Sequence, residues 1–335
     1  MQMTGGSTYI FSLPKKWAVR NQLKKGTSLL VQEEDDGSLS IMPSGMEKHD
    51  KMDEALIKFS QNENPAAVTR KVVAAYLIGY NFLRVRAQAQ QELSSKLRNH
   101  LKSFARQFLV GTEIVTDTSV ELSLQVLLDY QELSVESALR RMAIITASMH
   151  RDALAAFVNK DRQLAEAIVE TDSEVDRFNL YIIRQLKLAI ANPKLIKSVG
   201  LNSARDCLGY RLITKSVERA ADHAVKIAES SLMLKHKIES KHLRGIEEMS
   251  NLSVSMFEQS IDSLFRNDFG LAENVIEKTG RIINLENEII LSLQKAGLEE
   301  ATAVRLLLES VRRTAEYASD IAEIVLNLNV ESVLG

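Results

Sequence analysis

One segment of the chain occurs twice, and each copy has the spacing of an α-helix. Residues 216–230 read SVERAADHAVKIAES, and residues 310–324 read SVRRTAEYASDIAEI. Both copies are rich in alanine and lack glycine and proline, a composition that favours helix formation. A repeated segment indicates a repeated structural unit, so the chain is expected to build the same helical unit twice.

The segments upstream of the two copies match each other as well. LAEAIVE at 164–170 and LAENVIE at 271–277 each follow an Asp-containing turn. We therefore predict two three-helix units, at about 134–235 and 246–330. The chain has only four prolines, and the long tracts without proline allow long helices.

Acidic residues lie one helical turn apart in the first unit. Glu218 and Asp222 are separated by four residues, so their carboxylates point the same way. On the preceding helix, Asp172 and Asp176 interrupt an otherwise apolar row. A metal ion would explain this arrangement, and so would salt bridges to the basic residues nearby, which are Lys215, Arg177 and Arg219.

Two tandem three-helix units, each closing with a helix of this kind, resemble the PhoU family of phosphate-uptake regulators over roughly 134–330. The resemblance implies that acidic pairs on two helices of each bundle gather into a metal cluster. Carried over residue by residue, the first bundle keeps both pairs, Asp172 with Asp176 and Glu218 with Asp222. Their oxygen ligands suit a divalent or trivalent metal, Mg, Mn, Ca or Fe, and with the resemblance we favour the metal over salt bridges.

The second bundle departs from the implied pattern. Thr279 and Ile283 stand at the positions that match the aspartate pair, and Arg312 stands where Glu218 does in the first bundle. Only Glu316 with Asp320 preserves a one-turn pair, which makes a degenerate second site. Arg312 brings a permanent positive charge, so we predict that this half has lost its metal. Glu286 and Glu288 would compensate only if the register shifts.

The first 45 residues differ from the rest of the chain. We predict a strand over 8–13, a short helix that starts at Pro14, and strands over 27–32 and 39–42 joined at Asp36-Gly37. Five basic residues precede the first acidic residue: Lys15, Lys16, Arg20, Lys24 and Lys25. The excess of positive charge favours a polyanion such as DNA, although a solvated basic helix would also explain it.

The pattern from Thr4 to Trp17, followed by Leu23-Lys24-Lys25-Gly26, resembles the SpoVT/AbrB swapped-hairpin module. The resemblance implies a homodimer formed by strand exchange, and often DNA binding. The first strand of that module, where the family carries some of its basic contacts, is nearly missing here. The module therefore either binds DNA with reduced affinity or only dimerises. A module of this size, with little core of its own, usually needs a partner.

The segment between the N-terminal module and the helical repeats combines a predicted linker with predicted helices and strands. We predict a linker over 46–65 with a short helix around 52–59, and a small α/β module over 66–130. Arg84 and Arg86 share one face of a predicted strand, where they either contact phosphate or are simply solvated.

The predicted fold is mainly α: a β-rich swapped-hairpin module and a small α/β segment precede two PhoU-like three-helix bundles, at 131–240 and 241–335. No apolar run reaches the roughly 20 residues of a membrane span. A single cysteine, Cys207, fits a reducing cytoplasm. No sequence motif argues for catalysis.

We therefore expect a non-enzymatic, cytoplasmic regulator of phosphate uptake. The PhoU resemblance implies a phosphate ABC transporter or a signalling protein as partner. The N-terminal module makes DNA a further expected partner. Two rivals are a protein adaptor whose N-terminal module only dimerises and, from another class, a metal-dependent helical-bundle enzyme.

Overall fold

The computed structural model describes residues 2–4, 8–33, 37–44, 54–60, 63–88, 92–128, 133–234, 238, 240–330 and 334. These residues belong to two compact units, which comprise residues 1–52 and 53–335 of the chain.

The first unit consists of two antiparallel hairpins and one short helix. Strand β1 (Gln2–Thr4) pairs with β2 (Thr8–Ile10), and β3 (Leu29–Glu33) pairs with β4 (Leu39–Pro43). Helix α1 (Lys15–Arg20) follows Pro14, as predicted, and the predicted strands are confirmed. None of the described side chains in this unit is buried.

The second unit begins with a four-stranded sheet that is covered by two helices. Its elements are β5 (Glu54–Phe59), α2 (Pro65–Ile78), β6 (Phe82–Ala87), α3 (Ser95–Phe108), β7 (Thr112–Asp117) and β8 (Glu121–Val126). The strand order is β5-β6-β8-β7, with β5 parallel to β6 and the other pairs antiparallel. One face of the sheet forms an apolar core with α2 and α3.

The predicted short helix around 52–59 is wrong, because β5 lies there and belongs to the sheet. Glu54, Ala55, Leu56 and Lys58 all favour helices locally. Parallel pairing with β6 overrides that preference, since it buries Ile57 and the phenyl ring of Phe59 in the core beside α2.

Helices α4 (Val135–Asn159), α5 (Arg162–Ala191) and α7 (Ala204–Ser231) form the first predicted bundle, with the short α6 (Leu195–Ser198) between the last two. The Ser134 hydroxyl accepts a hydrogen bond from the Ser137 amide at 3.1 Å and caps α4. Helix α5 ends one residue before Asn192, as the Asn-Pro pair predicts.

Helices α8 (Ser240–Arg266), α9 (Phe269–Glu277), α10 (Thr279–Ser292) and α11 (Leu298–Leu328) form the second bundle. Its middle helix is interrupted at Lys278, so α9 and α10 together correspond to α5. Thr279 and Gly280, two poor helix formers, follow the interruption. The two bundles share one continuous apolar core, in which α7 packs against α11 and α4 against α8.

Arg184 of α5 joins the first bundle to the α/β module. Its side chain is fully buried and reaches the carboxyl end of α2. The guanidinium donates to the carbonyl oxygens of Tyr76, Gly79 at 3.1 Å and Tyr80 at 3.0 Å, and to Asn81 Oδ1 at 2.7 Å. The last carbonyls of a helix have no partner within the helix, and Arg184 donates to carbonyls of the turn that ends α2. The Tyr76 carbonyl also accepts from the Gly79 amide at 3.1 Å.

Gly79 makes this close approach possible. Its φ of 115° lies in the left-handed region, and a Cβ at this position would stand 2.5 Å from Leu188 Cδ2 of α5. The turn that ends α2 and the contact with α5 therefore both require glycine.

Candidate functional site

The structure places the four predicted acidic residues on the contacting helices α5 and α7, within electrostatic reach of one another. Asp172 and Asp176 lie one turn apart on α5, and Glu218 and Asp222 lie one turn apart on α7. All four are partly buried. We refer to these four residues as the acidic cluster.

The alanines of α7 set the distance between the helices. Ala220, Ala221, Ala224 and Ala228 are fully buried. Their small side chains let α7 pack against α4, α5 and α11. The acidic cluster therefore occupies a half-buried position where water only partly solvates the charges.

Burial and mutual repulsion disfavour the ionised forms of these carboxylates. Burial raises the pKa of Asp172 to about 7, and the charges of Asp176, Asp222 and Glu218 contribute to this shift. Burial, Glu218 and Asp222 raise the pKa of Asp176 to about 6, although Lys215 opposes the shift. The pKa of Asp222 is raised by burial and by Glu218.

Only one of the three basic residues named from the sequence pairs with the acidic cluster. Lys215 contacts the carboxylate of Glu218 on the same helix. Arg177 is exposed and forms no ion pair among the described residues. The Arg219 guanidinium instead lies 6.0 Å from the ring centre of Tyr317 on α11. One ammonium thus pairs with the four carboxylates, and Lys226 and Arg219 act on Asp222 from a greater distance. The four carboxylates still outnumber these three cations.

The donor set fits a hard cation in its chemistry. Carboxylate oxygens are the ligands that Mg²⁺, Mn²⁺ and Ca²⁺ prefer. Within the described ranges, no three His, Cys, Asp or Glu side chains are grouped closely enough to coordinate one ion. Binding would require the carboxylates of the acidic cluster to turn toward a common centre.

In the second bundle, arginine lies among the corresponding carboxylates. Arg312 Nε is 3.2 Å from Glu286 Oε2, and the same guanidinium contacts Glu316. Glu288 is exposed, and Ile283 is 47% exposed. Burial and the Glu316 carboxylate raise the pKa of Asp320. The predicted degenerate pair, Glu316 with Asp320, therefore shares its surroundings with a fixed positive charge.

Two histidines lie at the contact between the bundles. The ring of His223 is 5.8 Å from the ring of Tyr317, which occupies the matching position in the repeat. His150 Nε2 donates to the Ala220 carbonyl at 2.8 Å and lies 3.2 Å from Thr314 Oγ1. Burial lowers the pKa of both histidines to about 4. Sequence reasoning missed His150, although it stands in an apolar row of α4.

The basic residues of the first unit lie on α1 and the turn that follows it. Lys15, Lys16 and Arg20 line an open groove together with Val19. Lys24 and Lys25 follow in the turn before β3. All five basic side chains are exposed, so the surface is accessible to an anionic partner.

Arg84 and Arg86 lie side by side on the uncovered face of the sheet, as predicted. Arg84 Nε is 3.1 Å from Glu54 Oε1 and 3.6 Å from Glu121 Oε1, and Arg86 also contacts Glu121. These cross-strand ion pairs occupy both guanidinium groups, which favours a structural role over phosphate contact.

No helix in the part of the chain that the structure describes is both long enough and apolar enough to cross a membrane.

Comparisons with known proteins recover both predicted resemblances. A family model described as the PhoU domain matches residues 139–231 and again residues 246–325. A second model, described as "Antidote-toxin recognition MazE, bacterial antitoxin", matches residues 2–49.

Individual relatives agree with the first of these matches. The chain is 24% identical over 201 residues to the phosphate-specific transport system accessory protein PhoU homolog of Clostridium acetobutylicum, covering 58% of this chain and 90% of that protein. It is 26% identical over 165 residues to the homolog of the same name from Aquifex aeolicus, covering 49% and 73%. The crystal structure of PhoU from Pseudomonas aeruginosa aligns with a TM-score of 0.53 at 20% identity, covering 59% of this chain and 96% of that one, which confirms the fold.

Proposed function

The chain belongs to the PhoU domain family, and we propose that it is a non-enzymatic regulator of phosphate uptake that binds DNA through its N-terminal module. The observation that carries the proposal is the combination, in one chain, of two PhoU domains with a module that presents five basic residues on its surface. The relatives with PhoU domains are named accessory proteins of phosphate transport. A phosphate transporter or a signalling protein is therefore the proposed partner of the bundles, and the cytoplasmic location stays a prediction.

The acidic cluster is the proposed cation site. A bound divalent ion, Mg²⁺, Mn²⁺, Ca²⁺ or Fe²⁺, would neutralise carboxylates that otherwise repel one another across α5 and α7. The ion would thereby hold the two helices together. We assign it no chemical step, which separates this proposal from the rival reading of a metal-dependent enzyme.

We further propose that the N-terminal module pairs with the module of a second copy. Tyr9, Ile10, Phe11 and Val19 are between 48% and 68% exposed, and no described residue of this unit is buried. A small β structure without a core of its own needs a partner to bury apolar surface. A second copy of the same module supplies matching apolar surface.

The dimer is tested by analytical ultracentrifugation of the full chain. We expect the wild type to be a dimer and Ile10→Glu to dissociate it, because the new charge would be buried in the pairing surface. Ile190→Glu is the matched control, since Ile190 is 60% exposed but lies on α5, and it should stay dimeric. A monomeric wild type would contradict the proposal.

DNA binding is tested by fluorescence anisotropy with promoter fragments of phosphate-transport genes across a range of salt concentrations. Lys15→Gln/Lys16→Gln/Arg20→Gln should weaken binding at least about tenfold and lower the salt slope by up to about 3, roughly one per lost phosphate contact. The control is Arg106→Gln/Lys187→Gln/Lys197→Gln, which removes three exposed charges from the second unit.

The control variant should bind DNA as the wild type does. Equal losses in both variants would mean that net charge alone attracts DNA. Absence of binding in the wild type would favour the adaptor, in which the N-terminal module only dimerises.

A further inference from the structure

The second bundle contains an arginine that connects two of its helices through carboxylates. Arg312 of α11 lies 3.2 Å from Glu286 of α10 and also contacts Glu316, one turn further along α11. The side chains are shielded from water, with 30% of Arg312 and 17% of Glu286 exposed. A guanidinium presents several donors in one plane, so it can engage two carboxylates at once.

The neighbouring Arg313 strengthens this arrangement. Its Nη1 lies 2.7 Å from the second oxygen of Glu316. Glu316 thus receives one guanidinium on each carboxylate oxygen. Asp320, one turn beyond Glu316, lies within electrostatic reach of Arg313 and Arg219, whose charges oppose the rise in its pKa.

The first bundle has the opposite balance of charge at the matching place. The internal repeat aligns Arg312 with Glu218, so a cation in one bundle replaces an anion in the other. In the first bundle, Lys215 is the only basic side chain in contact with the acidic cluster among the described residues. Among the described residues, three of its four carboxylates therefore have no ion pair, although the charges of Lys226 and Arg219 reach Asp222. In the second bundle, Arg312 and Arg313 pair directly with Glu286 and Glu316.

We infer that Arg312 is a built-in cation, which takes the place of a bound metal ion in the second bundle and leaves only the first bundle responsive to external divalent cations. The guanidinium bridges α10 and α11 as an ion would bridge two helices. Because the arginine charge is permanent, this half of the molecule keeps its helix contact whatever the cation concentration. The expectation of one cation per chain, in contrast, rests on the proposed site in the first bundle.

Charge reversal at position 312 tests the inference directly. Arg312→Glu gives the second bundle the residue type that the first bundle has. It frees Glu286 and one carboxylate oxygen of Glu316 for an added ion, while the other oxygen of Glu316 stays paired with Arg313. We would titrate full-length wild type and variant with Mn²⁺ by isothermal calorimetry at pH 8. Arg305→Glu is the matched control, because Arg305 is an exposed residue of the same helix two turns away.

We expect Arg312→Glu to bind one Mn²⁺ ion per chain more than the wild type, and Arg305→Glu to bind the same number as the wild type. Equal stoichiometry in wild type and Arg312→Glu would overturn it, as would a wild-type Mn²⁺ site that is lost when Glu286 is changed to Gln. Should Arg312→Glu fail to fold, Arg312→Gln removes the same positive charge without adding a negative one, and its thermal midpoint should fall and be restored by Mn²⁺.

The two proposals fail in different ways. A wild type that binds no Mn²⁺ and a variant that binds one would refute the site of the first bundle and leave the role of Arg312 standing. If the wild type and Arg312→Glu each bind one Mn²⁺, the result would support the site of the first bundle and refute the role of Arg312.

Discussion

Replacing Arg184 with methionine lowers the free energy of unfolding by about 3–5 kcal/mol, because several buried acceptors lose a charged donor at once. The reason is the set of acceptors that would lose their donor. The guanidinium satisfies backbone carbonyls at the end of α2 and the amide oxygen of Asn81. Each buried acceptor left without a partner costs about 1–3 kcal/mol.

The electrostatic environment adds to the effect of Arg184. The carboxyl end of α2 carries a partial negative charge, which a buried cation stabilises. The guanidinium also lies 4.8 Å from the ring centre of Tyr76, a distance that permits a cation–π contact. Methionine replaces the aliphatic stem alone, so it restores neither interaction.

Chemical denaturation of the full chain measures the loss. Lys187→Met is the matched control, because Lys187 is an exposed cation three residues further along α5, and it should change stability by less than about 0.5 kcal/mol. Hydrogen exchange should show the loss concentrated at the turn that ends α2. A decrease below about 1 kcal/mol for Arg184→Met would contradict the role assigned to this contact.

Arg184 also illustrates what the sequence cannot predict. In the chain it is one more arginine on a long amphipathic helix, and nothing within a few turns of α5 distinguishes it from Arg177. Its burial depends on the docking of α2, which is more than 100 residues away in the sequence. Contacts of this kind become visible only when the tertiary structure is known.

Periodic features, in contrast, were predicted well. The internal repeat identified both bundles, because each helix carries its own apolar stripe and its own start and stop signals. One-turn spacing placed each acidic pair on one face of its helix, whereas the meeting of Asp172 and Asp176 with Glu218 and Asp222 was implied by the PhoU resemblance. The strand β5 was missed for the opposite reason, since its partner β6 lies beyond α2 and its own residues favour a helix.

The role of Arg312 was predictable only in part from the sequence. The repeat alignment predicted a positive charge where the other bundle has Glu218. Only the structure identifies the partners of that charge, Glu286 on α10 and Glu316 on α11. The interruption of the middle helix at Lys278 places Thr279 at the start of α10, a local change of backbone that the repeat alone did not predict.

The acidic cluster makes the stability of the protein depend on pH in a direction opposite to the usual behaviour of aspartates. The folded-state pKa values of Asp172, about 7, and Asp176, about 6, lie above the value of about 3.9 for an unfolded chain. Between about pH 4 and pH 7 the folded state therefore holds more protons than the unfolded state. By linkage, the free energy of unfolding contributed by these groups falls as the pH rises through that window.

Asp176→Asn should remove part of this dependence while preserving the shape of the side chain. Other carboxylates oppose the trend, since ion pairs with Lys102 and Arg98 lower the pKa of Asp117. The informative quantity is therefore the difference between variant and wild type. We expect Asp176→Asn to melt higher than the wild type at pH 8, and the gap to close as the pH falls to 4.

Divalent cations should produce the same stabilisation in the wild type, because a bound ion neutralises the carboxylates without a proton. At an Mn²⁺ concentration 100 times the dissociation constant, binding to the folded state alone adds about 2.7 kcal/mol. Differential scanning calorimetry at pH 8 should show this gain in the wild type and in the control Glu174→Gln, an exposed carboxylate of the same helix. Asp176→Asn should gain little, because its ligand set is incomplete. If Mn²⁺ stabilised wild type and Asp176→Asn equally, the cation would be bound elsewhere, and the repulsion within the acidic cluster would be relieved by protons and Lys215 alone.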